Sequence, residues 1–158
     1  MERGTTLFLK TVLLVIALPI LALCIVGLPW MARETVGYFP AYWVYPVLGL
    51  SYLGSIPYFV ALYQAFQLLT YIDKNNAFSE LSVRALKLIT YCAVLICIIC
   101  AACLPFLYFM ADADDAPGLI FFGMVPGFAS AVIAVFAAVL QRLLRNAIDL
   151  KSENDLTI

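Results

Sequence analysis

The stretch LKLITYCAVLICIICAACLPFLYFM, residues 86–110, decides the fold class of this chain. Its one charged side chain, Lys87, stands near its beginning, and the rest covers the ~20 residues that a helix needs to cross hydrocarbon. Backbone groups inside lipid cannot bond to water, so a spanning segment of this kind must satisfy its own hydrogen bonds as a helix. A strand of a membrane barrel would instead alternate over about ten residues. The stretch therefore predicts a transmembrane helix.

Three further apolar runs of similar length accompany this stretch. They are about Leu7 to Leu28, about Tyr45 to Leu69 and about Gly118 to Leu140. The chain is 65% hydrophobic and 12% charged, with a mean hydropathy of +1.03, far above the balance of a water-soluble domain. We therefore expect one domain over residues 1–158: an all-α, polytopic cell-membrane protein built as a four-transmembrane-helix bundle.

A cleaved signal peptide is the alternative for the first run. Arg3 and Lys10 precede its apolar centre, and the sequence Leu21 to Cys24 is a weak lipoprotein-type cleavage box. Leu23 is too bulky for that box, no small-residue cleavage site follows, and the run is long enough to span. We expect the first run to be a transmembrane helix.

Lysine and arginine are distributed unequally among the loops. Of the nine, eight lie before or near the start of the first run, between the second and third runs, near the start of the third run or after the fourth, and Arg33 is the exception. Since cytoplasmic loops carry an excess of basic residues, both termini and the middle loop are predicted to lie in the cytoplasm. The loop with Asp112, Asp114 and Asp115 has no basic residue and is predicted outside, as a solvated loop or, alternatively, a weak cation site.

The middle loop is predicted to be a helical hairpin that projects slightly into the cytoplasm. It turns at residues 73–76, and Ser79 is suited to cap the helix that follows. Arg84 and Lys87 lie on one face of that helix, and Phe78 is expected to pack back against the hairpin. The hairpin either simply connects two spans or binds a partner.

Residues 141–158 are predicted to form a cytoplasmic amphipathic helix and tail. Leucine, alanine and isoleucine recur at helical spacing, while Arg142 and Arg145 take the opposite side. The polar tail, Ser152 to Thr157, is expected to be either idle in solvent or a docking peptide.

A face of small residues predicts close helix packing in the fourth run. Its members recur at intervals of three or four residues: Gly123, Gly127, Ala131, Ala134 and Ala138. Small residues let two helix backbones approach, which supplies packing where apolar burial has no advantage over lipid. Packing within the bundle is the simpler interpretation and a dimer contact the alternative.

The loop between the first two runs is rich in aromatic residues. They are Trp30, Tyr38, Phe39, Tyr42, Trp43 and Tyr45. Rings with a polar edge settle at the headgroup level, so an interfacial belt or a short element lying on the outer surface is expected, with a ligand-stacking site as the alternative.

No residue constellation predicts catalysis, a cofactor or a metal site. The chain has no histidine, no paired carboxylate within a run, and no phosphate-binding or dinucleotide motif. Cys97, Cys100 and Cys103 form a stripe that could ligate a soft metal, but apolar surroundings disfavour the required thiolate, and structural packing is the simpler interpretation. The net charge of −1 provides no excess of positive charge that would indicate nucleic-acid binding. We expect a protein that is not an enzyme.

Two segments, YIDKNNAFSELSVRALKLI at residues 71–89 and AVLQRLLRNAIDLKSENDLTI at residues 138–158, resemble a family of small four-helix membrane proteins of Firmicutes. The resemblance covers most of the chain, and the ending Glu153 to Ile158 is its most specific part. The family is catalogued as a domain of unknown function. Its members are often encoded beside a small helix-turn-helix regulator of the Cro/CI type, so the resemblance implies such a regulator as a partner.

Three functions follow as hypotheses. The leading one is a membrane sensor or tether that binds the small cytoplasmic regulator, with contact expected at Ser79, Arg84, Lys87, Arg142, Arg145, Asn154, Asp155, Leu156 and Ile158. The second is an immunity or stress-protection protein that uses the aromatic outer loop against a membrane-active peptide. The third is a small transporter or channel subunit, which needs a homo-oligomer because no span carries buried polar groups that would line a path.

Overall fold

The computed structural model describes residues 3–74 and 78–156, and these residues are helical without a strand. The elements in chain order are α1 (Arg3–Ala22), a π-helical turn (Leu23–Gly27), α2 (Leu28–Thr35), α3 (Ala41–Asp73), α4 (Glu80–Ala113), a 3₁₀ turn (Pro117–Ile120) and α5 (Phe121–Leu156). Within the described ranges, four helices are long and apolar enough to cross a membrane, with α1, the π turn and α2 counting as one. The predicted all-α fold with four spanning helices is confirmed.

The first spanning helix is longer than the apolar run predicted. Pro29 has no N–H to donate to the Ile25 carbonyl, and the Leu28 N–H bonds to the Leu23 carbonyl, five residues back. This wider hydrogen-bond register is the π turn that separates α1 from α2. The helix then continues to Thr35, so residues predicted to begin the outer loop belong to it.

The short connection between α3 and α4 contains the predicted helix start. The Ser79 carbonyl accepts the N–H groups of Ser82 at 3.1 Å and Val83 at 3.3 Å, and α4 begins at the next residue, so Ser79 occupies the predicted N-cap position. Phe78 is 57% exposed, which contradicts the prediction that it packs back against the hairpin.

The connection between α4 and α5 is tight. Asp115 has a φ of 49°, the left-handed conformation that ends many helices, and the Ala116 N–H bonds to the Ala111 carbonyl at 2.9 Å. The chain thereby reverses within a few residues, and the 3₁₀ turn leads directly into α5.

The helices pack antiparallel, each mainly against its neighbour in the chain. In the described residues α3 and α5 make extensive contacts with α4, whereas the contact of α1 with α3 is thinner. The Tyr52 and Tyr58 hydroxyls of α3 donate to carbonyls of the first helix, at Cys24 (3.0 Å) and Ile16 (3.1 Å). The central helix is therefore α4, which also holds most of the buried side chains.

These contacts give the bundle two chemically different ends. We call the end that carries Lys10, Lys74 and Arg145 the basic end, because Lys10 lies over the Phe66 ring near the end of α3, and Arg145 pairs with the first residue of α4. We call the other end, with Trp43 and Asp112 to Asp115, the acidic end.

Candidate functional site

An ion pair at the basic end joins the predicted hairpin to the last helix. The Arg145 guanidinium lies 3.4 Å from the Glu80 carboxylate, with side chains 53% and 60% exposed, so the pair contributes at most about 1 kcal/mol. It marks the level at which α5 passes the start of α4. The two segments that carry the family resemblance are therefore neighbours in space.

The start of α4 is among the most tightly packed parts of the structure. Ser82, Val83, Ala85 and Leu86 are all buried, although this turn lies at the edge of the predicted third run. Because they are buried, this part of the hairpin is firmly packed rather than a loose loop. We call residues 82–86 the platform.

Basic side chains surround this platform. Arg84 and Lys87 on α4 and Arg142 and Arg145 on α5 are exposed, as the prediction of a charged face requires, and Ser79 is half-buried. The Lys87 ammonium lies 5.8 Å from the centre of the Tyr91 ring. The predicted contact residues on both helices thus lie at one end of the bundle.

The last helix continues without a break past the platform. With 36 residues, α5 is about 54 Å long, far more than the ~30 Å of hydrocarbon. The residues after Arg145 carry it about 16 Å beyond the first residue of α4. We call Asn146 to Leu156 the α5 extension.

The α5 extension departs from the sequence prediction of a tail. Residues 152–156 are helical, including the predicted contact residues Asn154, Asp155 and Leu156, while Ile158 lies outside the described residues. Leu150 is 66% exposed and Leu156 is 84% exposed. The extension therefore presents two leucines that this chain does not cover.

The amphipathic pattern of α5 is divided between two sides. Leu144, Ala147 and Ile148 are half-buried, and Leu143 and Leu150 are exposed. The half-buried Leu144 and Ile148 continue the spacing of the buried Ser130, Ala134 and Ala137. One apolar side thus packs on the bundle and the other remains free of it.

The predicted small-residue face lies against α4. A Cβ placed on Gly123 would lie 2.9 Å from the Leu107 Cδ1, and one placed on Gly127 would lie 3.1 Å from the Cys100 Cβ. Ala134 is buried and Ala131 is half-buried. The sequence reading missed Ser130 and Ala137, both buried, because they fall between the members of the stripe that it selected.

The cysteine stripe of α4 lies largely in the helix interfaces. Cys103 is buried, Cys97 and Cys100 are half-buried, and Cys100 lies where Gly127 allows α5 to approach. Within residues 3–74 and 78–156, no three His, Cys, Asp or Glu side chains come together in a way that could hold a metal ion.

Aromatic side chains dominate the acidic end. The Trp43 ring stacks on Phe109 of α4 at a centroid distance of 5.9 Å and an interplanar angle of 15°. Tyr38, Tyr42 and Tyr45 are exposed. One member of the predicted aromatic group, Trp43, thus packs α3 against α4, whereas the tyrosines face outward.

A groove beside this stack escaped the sequence reading altogether. It lies between α4 and the start of α5, has a volume of about 480 Å³ and is lined by Ala101, Leu104, Pro105, Tyr108, Phe109, Ile120 and Met124. Its walls come from residues some 20 positions apart, so no local pattern marks it. A smaller recess that includes Asp112 and Asp115 adjoins it.

Comparison with known proteins places most of this chain in one group. Residues 30–158 match the family described as "Protein of unknown function (DUF2975)". The chain is 59% identical over 160 residues to "Uncharacterized membrane protein YoaS" of Bacillus subtilis (strain 168), and the match covers 100% of both chains. No solved structure matches.

Proposed function

Because this chain belongs to the DUF2975 family of Firmicutes membrane proteins, we propose that it is a non-enzymatic sensor or tether that binds a small cytoplasmic helix-turn-helix regulator at its basic end. The family membership confirms the resemblance predicted from the two quoted segments. The chain is a membrane protein whose four long apolar helices contact lipid. The identity of the partner is taken from the genetic neighbourhood that the resemblance implies.

The distribution of charge supports a cytoplasmic basic end. Lys10, Lys74 and Arg145 lie at the same end of the bundle, and the excess of lysine and arginine on that end is the pattern of cytoplasmic loops. Both chain termini then face the cytoplasm, and the acidic end faces outward.

The observation that carries the proposal is the α5 extension. A helix that stands in water with Leu150 and Leu156 exposed gains from a partner that covers them, since fully burying one leucine contributes about 1.5–3 kcal/mol. A helix laid into an apolar groove is a common mode of protein recognition. Residues 153–158 are also the part of the chain that the family resemblance marks most specifically.

The platform beside the extension supplies the charged rim of the same contact. Arg84, Lys87 and Arg142 are exposed around it, and rim charges of one sign steer a partner of opposite sign. Since α4 runs unbroken from the acidic end to this platform, a change at the outer end has one rigid element through which to reach the contact.

The experiment is co-purification of the neighbouring regulator with the full chain in detergent. We expect the native chain to retain the regulator, and the chain without residues 152–158 and the Leu150→Ala, Leu156→Ala double variant to lose it. The matched control is Lys151→Ala with Ser152→Ala, which changes exposed polar residues of the same extension. No retention by the native chain, or equal losses in the leucine variant and its control, would remove the proposal.

A second candidate function rests on a separate observation. The exposed tyrosines Tyr38, Tyr42 and Tyr45 together with the groove form an apolar and aromatic surface at the acidic end, which supports protection against a membrane-active peptide. A deletion strain would then be more sensitive to such a peptide, and a chain lacking residues 152–158 would restore resistance. Under the leading proposal, the truncated chain would restore nothing.

A further inference from the structure

The groove at the acidic end has the size and lining of a site for one alkyl chain. Its volume of about 480 Å³ falls in the range of small-molecule sites, and its walls are apolar. Leu104 and Phe109 come from α4, and Met124 comes from α5. An apolar groove alone would be filled by any bulk lipid, so its selectivity must come from its mouth.

The mouth of the groove is acidic. The adjoining recess, of about 180 Å³, shares Tyr108 and Ile120 with the groove and adds Asp112 and Asp115 to its lining. Tyr108 is exposed and lines both the groove and the recess that contains the two carboxylates. An open apolar groove that adjoins an aromatic ring and two acids suits an amphiphile with a cationic head.

The negative charge at this mouth is uncompensated. Asp112 lies in the last turn of α4 and Asp114 at its C-cap, where the partial negative charge of the helix end adds to theirs, and the last turn has no basic residue. In the part of the chain that the structure describes, no ion pair involves these aspartates. Arg33, the basic residue of this end, is on α2, which packs against α3 rather than along the groove.

We propose that this groove binds one membrane amphiphile with a single alkyl chain and an ammonium head group. The chain lies along Leu104, Phe109 and Met124, and the ammonium lies between the Tyr108 ring and the carboxylates of Asp112 and Asp115. Cation–π attraction and two ion pairs then select the head group, while the groove selects an unbranched tail. This site is independent of the regulator contact, because it lies at the opposite end of the bundle.

The test uses the full chain in nanodiscs of zwitterionic phosphatidylcholine. The probe is hexadecylamine with a photoreactive diazirine in its chain, and labelled residues are located by mass spectrometry. We expect labelling of the segments 104–109 and 120–124. Unlabelled hexadecylamine should compete at a concentration about tenfold lower than hexadecanoic acid, the effect expected of one exposed cation–π contact and two exposed ion pairs.

Two pairs of variants sharpen the test. Met124→Trp fills the groove and should abolish labelling there, whereas Val125→Trp, on the next and also exposed position of α5, should not. Asp112→Asn with Asp115→Asn should keep the labelling and lose the preference for the amine. Asp114→Asn, which removes one negative charge of the same end from a residue outside both linings, should keep that preference.

Several outcomes would overturn the proposal. Equal competition by the amine and the acid would show an ordinary lipid contact, and labelling spread over α1 would show no site at all. If the two members of either pair of variants had equal effects, the assignment of Met124 or of the two aspartates to the site would be wrong. Competition by a cationic peptide but not by hexadecylamine would assign the surface to a macromolecule instead. Each variant is first checked for an unchanged elution profile, so that a misfolded chain is not counted as a loss of binding.

Discussion

The two ends of the α4–α5 pair differ in what lies beside the contact between the helices. Towards the basic end, the small buried residues Ser130, Ala134 and Ala137 bring α5 close to α4. At the acidic end, the same helices leave a groove between Tyr108 and Met124. Lipid covers an apolar side chain as well as another helix does, so close backbone approach, and not apolar burial, holds such helices together. At the acidic end Gly123 also brings α5 close to α4, and the groove lies open on the flank of this contact, between Leu104 and Met124.

This contrast assigns different tasks to the two ends. The basic end is a firm platform from which a long helix projects, and such an arrangement suits a protein partner. The acidic end is an open aromatic and acidic groove, and such an arrangement suits a small molecule. Such a division requires the two ends to lie on opposite sides of the membrane.

The largest expected effect is all-or-none and concerns that sidedness. In Asp114→Cys, a membrane-impermeant maleimide should label intact cells, because the acidic end is proposed to face outward. In Leu156→Cys, labelling should require permeabilised cells. The native chain, whose five cysteines lie in the apolar runs, is the background control. Labelling of both variants in intact cells would place the two ends on the same side and end the comparison.

The next effect concerns the close approach of α5 to α4. Gly127→Leu should destabilise the bundle by about 1–3 kcal/mol, because a Cβ at this position lies 3.1 Å from the Cys100 Cβ, and that atom cannot move without its backbone. The measurement is reversible unfolding in mixed micelles with increasing SDS.

The matched control for this substitution is Gly49→Leu. Gly49 is also a helical glycine, but a Cβ there meets nothing within 4 Å. It should therefore cost little, and helix propensity alone would make it mildly stabilising. Equal destabilisation by the two substitutions would show that the approach at Gly127 is not what holds α5 in place.

A smaller effect is expected at the platform. Val83→Ala should cost about 2 kcal/mol, because it removes two buried methyl groups at ~0.8 kcal/mol each and leaves a small cavity. Leu81→Ala, two residues earlier and exposed, should cost much less in the same unfolding measurement. If Leu81→Ala were the more damaging of the two, the hairpin would not be packed as described.

The helices themselves were predictable from the sequence, but their ends were not. Apolar runs of about twenty residues fix where hydrocarbon is crossed, and Ser79 marks a helix start by its local chemistry. Nothing in lipid or water stops a helix at the boundary between them. The continuation of the first helix to Thr35 was therefore missed, and the last helix, predicted to give way to a polar tail at Ser152, continues to Leu156.

The sequence also did not predict which distant segments of the chain contact each other. A contact within one helix follows from residue spacing, as between the Gln67 amide and the Tyr63 hydroxyl, to which it donates at 2.7 Å. The groove joins residues near 104 to residues near 124, and the Glu80–Arg145 pair spans 65 positions. Periodicity shows which face of a helix is small or apolar, but it does not show which helix that face meets.

The smallest expected effect belongs to that ion pair, which joins α5 to the start of α4 just before the α5 extension. Glu80→Gln and Arg145→Gln, singly and together, form a double-mutant cycle in the unfolding measurement. Because both side chains are more than half exposed, we expect a coupling energy of only about 0.2–1 kcal/mol, and less at high salt, where exposed charges are screened. In contrast, regulator retention should survive Glu80→Gln, since the extension is held by the continuity of α5 rather than by this pair. If Glu80→Gln lost the regulator while the stability of the bundle was unchanged, the ion pair would be needed to position the extension. The basic end would then not be rigid by itself, and its contrast with the open acidic end would have to be revised.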